Sequence, residues 1–553
     1  MRLSRDDLLM RGGVVVLAVV LLLIVGLPLW SLLAKGFEDR DGHFVGLANY
    51  ASYFSTPALL NSALNSFHVA AISTLIVVPL AFLYAYALTR AILPARWLFQ
   101  GIALIPIFAP SLLPGLALIY LFGTQGFFKA LLGGGSIYGF DGIVIAQVFY
   151  CFPHATLILV TALATADARL YEAADVLGAS KLRVFFTVTL PGAKYGLVSA
   201  AMVVFTLVIT DFGVAKVIGG NFNVLATDVY KQVIGQQNFS MGAVVGMVLL
   251  APAALAFAVD RLVQRKQVAL LTARAVPLVP RPKLGRDAFF TAFCCLVSAG
   301  ILAILGMAAW GSLIKYWPYN LGLTWANYRF QTFDANGWES YTNSLRMAAG
   351  AAVAGTAIMF VGAWLNEKTR GFGAVRGLVQ LLAFLPMAVP GLVLGLGYIF
   401  FFNAPWNPLN FLYATMAILV INTVAHFYTV GHLTATTALK QIDPEFEAVS
   451  ASLKVPVWRT FLRVTAPICL PAILDIAIYL FVNAMTTVSS VIFLYAPDTK
   501  IASVAALNIE EAGTTAAAAA LCIVIVVTSA AVKALHLIAD RFLLGRLQAW
   551  RRR

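Results

Sequence analysis

"YEAADVLGASKLRVFFTVTLP", residues 171–191, places Glu172, Asp175, Lys181 and Arg183 in a chain that is otherwise mostly oil. Leu170, Ala173, Ala174 and Leu177 recur at helical spacing with Glu172 and Asp175 opposite, which predicts a short amphipathic helix. Gly178 suits a helix stop, and Ser180 can N-cap a second short helix from Lys181. Pro191 marks the boundary of the apolar run that follows. The stretch reads as a helix–turn–helix elbow lying against a membrane. Residues 443–467, "DPEFEAVSASLKVPVWRTFLRVTAP", raise the same pattern a second time.

The surroundings require lipid. Of 553 residues, 61% are hydrophobic and 11% charged, with a mean hydropathy of +0.87. A soluble domain is about a quarter charged, so this chain cannot cover itself with a polar surface. Twelve apolar runs reach the roughly 20 residues that a spanning helix needs. They centre near residues 23, 76, 110, 153, 207, 250, 300, 355, 390, 424, 480 and 524. No alternating strand pattern of a barrel occurs, so the expected fold is an all-α polytopic membrane protein. The run Val14–Leu33 is too long for a signal-peptide core and lacks a clean cleavage site, so it is expected to remain as the first span.

A net charge of +14 invites a nucleic-acid reading, but the charges are placed by topology. With a cytoplasmic N-terminus, 29 of the 38 Lys and Arg residues fall in cytoplasmic segments, which satisfies the positive-inside rule with both termini inside. No nucleic-acid partner is implied. The five cysteines (Cys151, Cys294, Cys295, Cys469, Cys522) lack metal-ligand spacing and read as buried thiols. His426 and His432 do not share a helix face and are expected to pack rather than bind metal.

The chain also repeats itself. "ANY" at 48–50 returns at 326–328, and "NSFHVAA" at 65–71 aligns with "NSLRMAA" at 343–349, both at an offset of 278. Residues 104–120 match 384–400 at 280, pairing Pro106 with Pro386 and Pro110 with Pro390, while 182–191 match 458–467 at 276. This is a tandem duplication with six spans per half. Because six is even, the halves share one orientation, as parallel repeats. The expected division is a first repeat at 1–259, a basic cytoplasmic linker at 260–287 and a second repeat at 288–553. The elbows (166–196 and 436–468) fall between the fourth and fifth spans of each half, on the cytoplasmic side.

Glu172-Ala173-Ala174, then Gly178, Val188 and Leu190-Pro191, resembles the EAA signature of bacterial ABC importer permeases. The resemblance covers both halves and is most similar to the fused double permeases of the ferric iron, thiamine and 2-aminoethylphosphonate branch. It implies a type I importer permease fold in a bacterial inner membrane. It also implies coupling helices that insert into ATP-binding subunits, a pair of those subunits as a homodimer, and a periplasmic substrate-binding protein. The second copy departs from the signature: Glu447-Ala448 is followed by Val449-Ser450, Lys454 takes the Gly178 position, and Ala466 precedes Pro467. An extra residue is expected between Glu447 and Leu453, and the bend at Lys454 is expected to be made differently. No G-x-x-x-x-G-K-S/T phosphate loop occurs, so the chain is not read as an enzyme. It is expected to bind no cofactor or metal itself, with ATP and Mg on the partner subunits.

Intramembrane ionisable groups are costly and suggest function. Asp211 near the outer end of the fifth span is the clearest, with Thr487 as its counterpart. Thr210, Asn483, Thr486 and Ser490 extend a polar stripe that is expected to line the substrate path; interhelical hydrogen bonding is the competing role. Pro106, Pro110 and Pro114, with Pro386 and Pro390, are expected to break the third span of each half. A twelve-helix secondary carrier is the rival architecture. The loops "TRAILPAR" and "NEKTRGFGAVRG" lack a carrier's basic, Gly- and Asp-containing pattern, and a carrier needs no paired elbows. Residues 210–246 most resemble 2-aminoethylphosphonate permeases, with ferric iron as the alternative and then thiamine or a polyamine.

Overall fold

The computed structural model describes residues 5–268, 276 and 278–541. The core of the expected linker and the last basic residues of the chain lie outside the described residues. Among the described residues, eight unbroken helices are long and apolar enough to cross a membrane, and four bent pairs, each counted as one span, bring the count to twelve. In chain order, spans 1–6 are Arg5–Lys35, Pro57–Arg90, the pair Arg96–Phe108 and Leu112–Phe122, Phe140–Ala164, Lys181–Thr210 and Phe239–Gln264. Spans 7–12 are Leu284–Leu313, Trp338–Lys368, the pair Gly373–Ala388 and Gly391–Phe402, the pair Met416–His426 and Tyr428–Lys440, the pair Val457–Ile468 and Leu470–Thr486, and Thr515–Ala539. Helices dominate because lipid offers backbone groups no water, so each segment must satisfy its own. The chain's one strand pair, among the described residues, is a short hairpin of Ile314–Tyr316 with Asn320–Leu323.

Pro106 and Pro110, with Pro386 and Pro390, fall at the breaks as expected, whereas Pro114 lies inside the helix Leu112–Phe122 and does not break it. Span 3 bends by 101° and span 9 by 119°, each after a 3₁₀ turn (Ile105–Phe108; Leu385–Ala388) that ends before Pro110 or Pro390. A proline ring there lacks the N–H that the helix needs and collides with the preceding turn.

The sequence repeats turn out to be polar pins. Asn49 donates through Nδ2 to the carbonyls of Gly36 (3.1 Å) and Glu38 (2.8 Å). Asn327 donates likewise to Ser312 (2.9 Å) and Ile314 (2.8 Å). Both close the carbonyl end of the first helix of their half. Ser66 Oγ accepts the Leu225 N–H at 2.7 Å, and Ser344 Oγ accepts that of Ala502 at 2.8 Å. Buried backbone donors need such partners, so the duplication has kept them.

The compact units cut across the division into repeats. One unit comprises residues 1–49, 330–508 and 524–553. In it, span 1 seats on span 9: Tyr398 donates from its hydroxyl to the Ile24 carbonyl at 2.7 Å, a carbonyl within the π-helical turn Leu22–Gly26. The other unit comprises 50–329 and 509–523, and in it span 7 packs on span 3 and span 2. There, the Tyr84 hydroxyl meets Ser298 Oγ at 3.2 Å and donates to the Phe99 carbonyl at 2.9 Å. Each half therefore lends its leading helix to the unit built from the other. Four cysteines are buried as expected, but Cys295 is exposed on span 7, a helix that buries only 17% of its most apolar stretch.

Candidate functional site

In the first elbow, Asp167 caps the helix Ala168–Val176, its Oδ1 accepting the Arg169 N–H at 3.1 Å. The helix closes with two reversed bonds: Gly178 N–H to the Asp175 carbonyl and Ala179 N–H to the Ala174 carbonyl, both 3.0 Å. This closure demands a left-handed residue just past the helix, and Gly178 supplies it with φ +68°. Ser180 Oγ then accepts the Arg183 N–H at 3.3 Å, starting the helix Lys181–Val184.

Pro191 is not the boundary that its chemistry suggests. Span 5 runs unbroken from Lys181, passing a π-helical turn at Phe185–Thr189 before Leu190 and Pro191. A π turn widens the backbone, which admits the proline without a break.

The second elbow corrects two expectations. Asp443 Oδ1 accepts the Glu445 N–H at 2.9 Å. Lys454 N–H bonds to the Ala451 carbonyl at 3.1 Å, and Val455 N–H to that of Ser450 at 3.0 Å. Every one of these residues stands 276 positions after its counterpart in the first elbow, and the π turn Phe461–Thr465 does too. No extra residue is inserted. Ala448 therefore stands at Glu172, and Glu447 at Tyr171. The bend is also the same one: Lys454 adopts φ +53° where the first elbow has glycine. Pro456 has no side-chain cap to offer, and Asp6 Oδ2 instead accepts the Val457 N–H at 3.1 Å.

Both elbows show the same two faces. Outward, Leu170, Leu177, Leu182 and Phe186 are exposed, as are Phe446, Leu453, Trp458 and Leu462 at the matching positions. Leu177 is 83% exposed and Leu453 70%. Glu172, Ala173, Ala448 and the prolines Pro191 and Pro467 are also exposed, while Ala174 and Leu190 are half-buried. Large apolar side chains left in the open are a mark of an interaction surface. Inward, the Phe185 ring lies 6.1 Å from both Phe82 and Tyr86, one helical turn apart on span 2. Phe461 repeats this against Phe360 at 5.8 Å and Trp364 at 4.4 Å on span 8. No motif marks this aromatic seam; its signal is the shared offset of 278 on the spans and 276 on the elbows.

Asp211 follows the last residue of span 5 and is half-buried. Its Oδ2 accepts from Gln147 Nε2 at 3.0 Å and from the Val214 N–H at 2.9 Å, so it ties span 4 to the chain after span 5. The cavity beside it, with Ser66 and Gln147 in its wall, measures about 10 Å³, room for a single water. Thr487 is buried with its Oγ1 3.0 Å from Ser490 Oγ, and Asn422 Nδ2 donates to the Ser490 carbonyl at 2.6 Å. Thr210, Asn483 and Thr486 bond back to their own helices, at Thr206, Tyr479 and Val482. Within each unit these residues are sorted into backbone clasps and half-exposed helix residues. Asp475 inside span 11 carries a carboxylate that motif reading passes over, 3.7 Å from His536 Nε2. His426 and His432 pack on rings, of Phe427 and Tyr428 respectively.

A family profile described as "Binding-protein-dependent transport system inner membrane component" matches residues 77–268 and again residues 358–544. Each match encloses one elbow. Among curated relatives, the "Putative ferric transport system permease protein FbpB 1" of Haemophilus influenzae is 29% identical over 447 residues, covering 77% of this chain and 69% of the relative. The "Ferric transport system permease protein FbpB" of Actinobacillus pleuropneumoniae is 28% identical over 457 residues, covering 79% of this chain and 65% of the relative. The chain thus spans about two thirds of the length of both. A solved bacterial ABC transporter involved in the import of the acidic polysaccharide alginate aligns with a TM-score of 0.40 at 16% identity, over 48% of this chain and 97% of that one.

Proposed function

We infer the role of this chain from the family it belongs to, the inner membrane components of binding-protein-dependent transport systems: it is the permease of an ABC importer, with both halves fused. In our reading the elbows receive ATP-binding subunits on the cytoplasmic side of a bacterial inner membrane, with both termini on that side. A periplasmic binding protein delivers the cargo opposite. The single observation that carries this is the pair of elbows in one register, each closed by the same left-handed bend and each presenting the same four apolar positions. Two equal surfaces suit two copies of one ATPase better than two different ones.

For the cargo we propose ferric iron. The two relatives named above are called ferric permeases, whereas the 2-aminoethylphosphonate reading of residues 210–246 finds no counterpart in them. The path is proposed to run along the half-exposed Thr210, Asn483 and Thr486, with Asp211, Thr487 and Ser490 holding its backbone. The test is uptake in cells whose only copy of this system is inducible. Saturable, ATP-dependent accumulation of radioactive iron, uncompeted by 2-aminoethylphosphonate or thiamine, is expected. Phosphonate uptake without iron uptake would move the cargo back to the phosphonate reading.

A further inference from the structure

The elbows meet their spans through a charged contact as well as through rings. Arg90 ends span 2 and is buried, 6% exposed. Its Nη2 donates to the Leu163 carbonyl at 2.9 Å, in the last turn of span 4, where a cation complements the helix dipole. The guanidinium also lies over the Tyr171 ring, 5.4 Å from its centre, and Nη2 is 3.4 Å from the Tyr171 hydroxyl. Tyr171 in turn donates to Thr189 Oγ1 at 3.1 Å, in the π turn that opens span 5. One side chain thus touches the ends of two spans and the elbow, and reaches a third span through one relay.

At the same place in the second half, Lys368 ends span 8, and its Nζ lies 2.6 Å from Glu447 Oε1. Lys368 is offset from Arg90 by 278 and Glu447 from Tyr171 by 276, the offsets of the aromatic seam. The residue pairs differ, a cation on a phenol ring in one half and an ion pair in the other. What the two halves share is the contact, not its chemistry. Burial makes the Arg90 contact demanding, because a cation stripped of its partner there is left uncompensated; Lys368 and Glu447 are half-buried.

We propose that Arg90 with Tyr171, and Lys368 with Glu447, are positioning latches that transmit movement of each elbow to the second span of its half, and so keep ATP hydrolysis tied to transport. The inference rests on the importer reading above. The aromatic seam sets the distance between elbow and span, and the latch removes the remaining freedom to slide.

The experiment uses the purified complex of the full chain with its ATPase, in proteoliposomes supplied with the iron-loaded binding protein. The readout is ATP hydrolysed per iron imported, measured per assembled complex so that poor assembly is not counted as uncoupling. Lys368→Glu is expected to raise that ratio about tenfold, and adding Glu447→Lys should return it to within about twofold of the wild type, the pattern of residues in direct contact. Arg90→Gln is expected to raise the ratio, and Arg90→Lys to raise it less. A merely structural role would lower hydrolysis and transport together, or leave the reversed pair no better than the single change; either outcome overturns the latch. An inactive wild type in the same assay would remove the importer reading, and the latch with it.

Discussion

Gly178 and Lys454 occupy the same left-handed bend, which makes them a matched pair for one measurement. A β-carbon added at Gly178 would meet nothing within 4 Å, so substitution there has no packing cost and only a backbone one. The left-handed conformation costs an L-residue roughly 1–2 kcal/mol, less about 0.4–1 kcal/mol regained from the freedom glycine loses on ordering. Gly178→Ala should then weaken the folded elbow by about 1 kcal/mol, close to fivefold in its affinity for the ATPase if the elbow must be folded to dock. Gly178→Val adds a β-branch, which resists positive φ most, and should cost on the order of tenfold or more. Lys454 already bears the penalty at φ +53°. Lys454→Val is therefore expected to cost less than Gly178→Val, and Lys454→Gly to strengthen the complex by a few-fold. Titrating the ATPase against tagged, detergent-solubilised permease and measuring the retained fraction reads all four. Wild-type affinity for Gly178→Val, or a loss for Lys454→Gly as large as for Gly178→Val, would refute the bend as the determinant.

Two other outcomes follow, the first from the proposed orientation and the second from the geometry. Single cysteines at Ser180 and Val457 should label only from the cytoplasmic side, and at Asn223 and Asn336 only from the periplasmic side, in a background where the exposed Cys295 has been changed to Ser; outside labelling at 180 or 457 contradicts the coupling role. Asp211→Ala strands Gln147 Nε2 and the Val214 N–H, each unmade bond costing about 1–3 kcal/mol, so uptake and thermal stability of the purified permease should fall together, and more than for Thr487→Ala. Lost uptake at unchanged stability would instead place Asp211 on the path.

How much of this was legible depends on where each signal lies. The duplication was legible because its markers are pins: Asn49 with Asn327, and Ser66 with Ser344, satisfy buried backbone groups that tolerate little else. The elbows were legible because charge and glycine stand out against oil. The aromatic seam was not, since Phe82 and Tyr86 at helical spacing look like any lipid-facing pair. Lys454 hid its bend because residue preference points to glycine, and tertiary context overrode it. The bonding of the polar stripe was not legible: hydroxyls of Thr210 and Thr486 bond to the preceding turn of their own helix, a local solution invisible to spacing. Which helix seats on which was also beyond reach, because hydropathy names lipid as a neighbour but never a partner.

That last point bears on why the halves are joined at all. Lipid tails are as apolar as leucine, so burial alone does not drive one span onto another; close packing and hydrogen bonds must. Span 1 has both on span 9. A β-carbon at Gly397 would come within 2.6 Å of the Pro28 carbonyl oxygen, and Tyr398 holds the Ile24 carbonyl. Span 7 has both as well: Gly311 lies under the Tyr120 ring, and Ser298 meets Tyr84. These seats connect residues before the linker with residues after it, twice over and in opposite senses. The covalent joint should then be dispensable for assembly. Residues 1–270 and 271–553 expressed as two chains are expected to insert and purify together in equal amounts. Gly397→Leu in the split protein meets backbone rather than a movable side chain, and should reduce recovery of the first fragment several-fold, while the same change in the fused chain leaves both halves on one molecule. Fragments that separate without any substitution would show that the linker, and not the exchanged helices, holds the permease together.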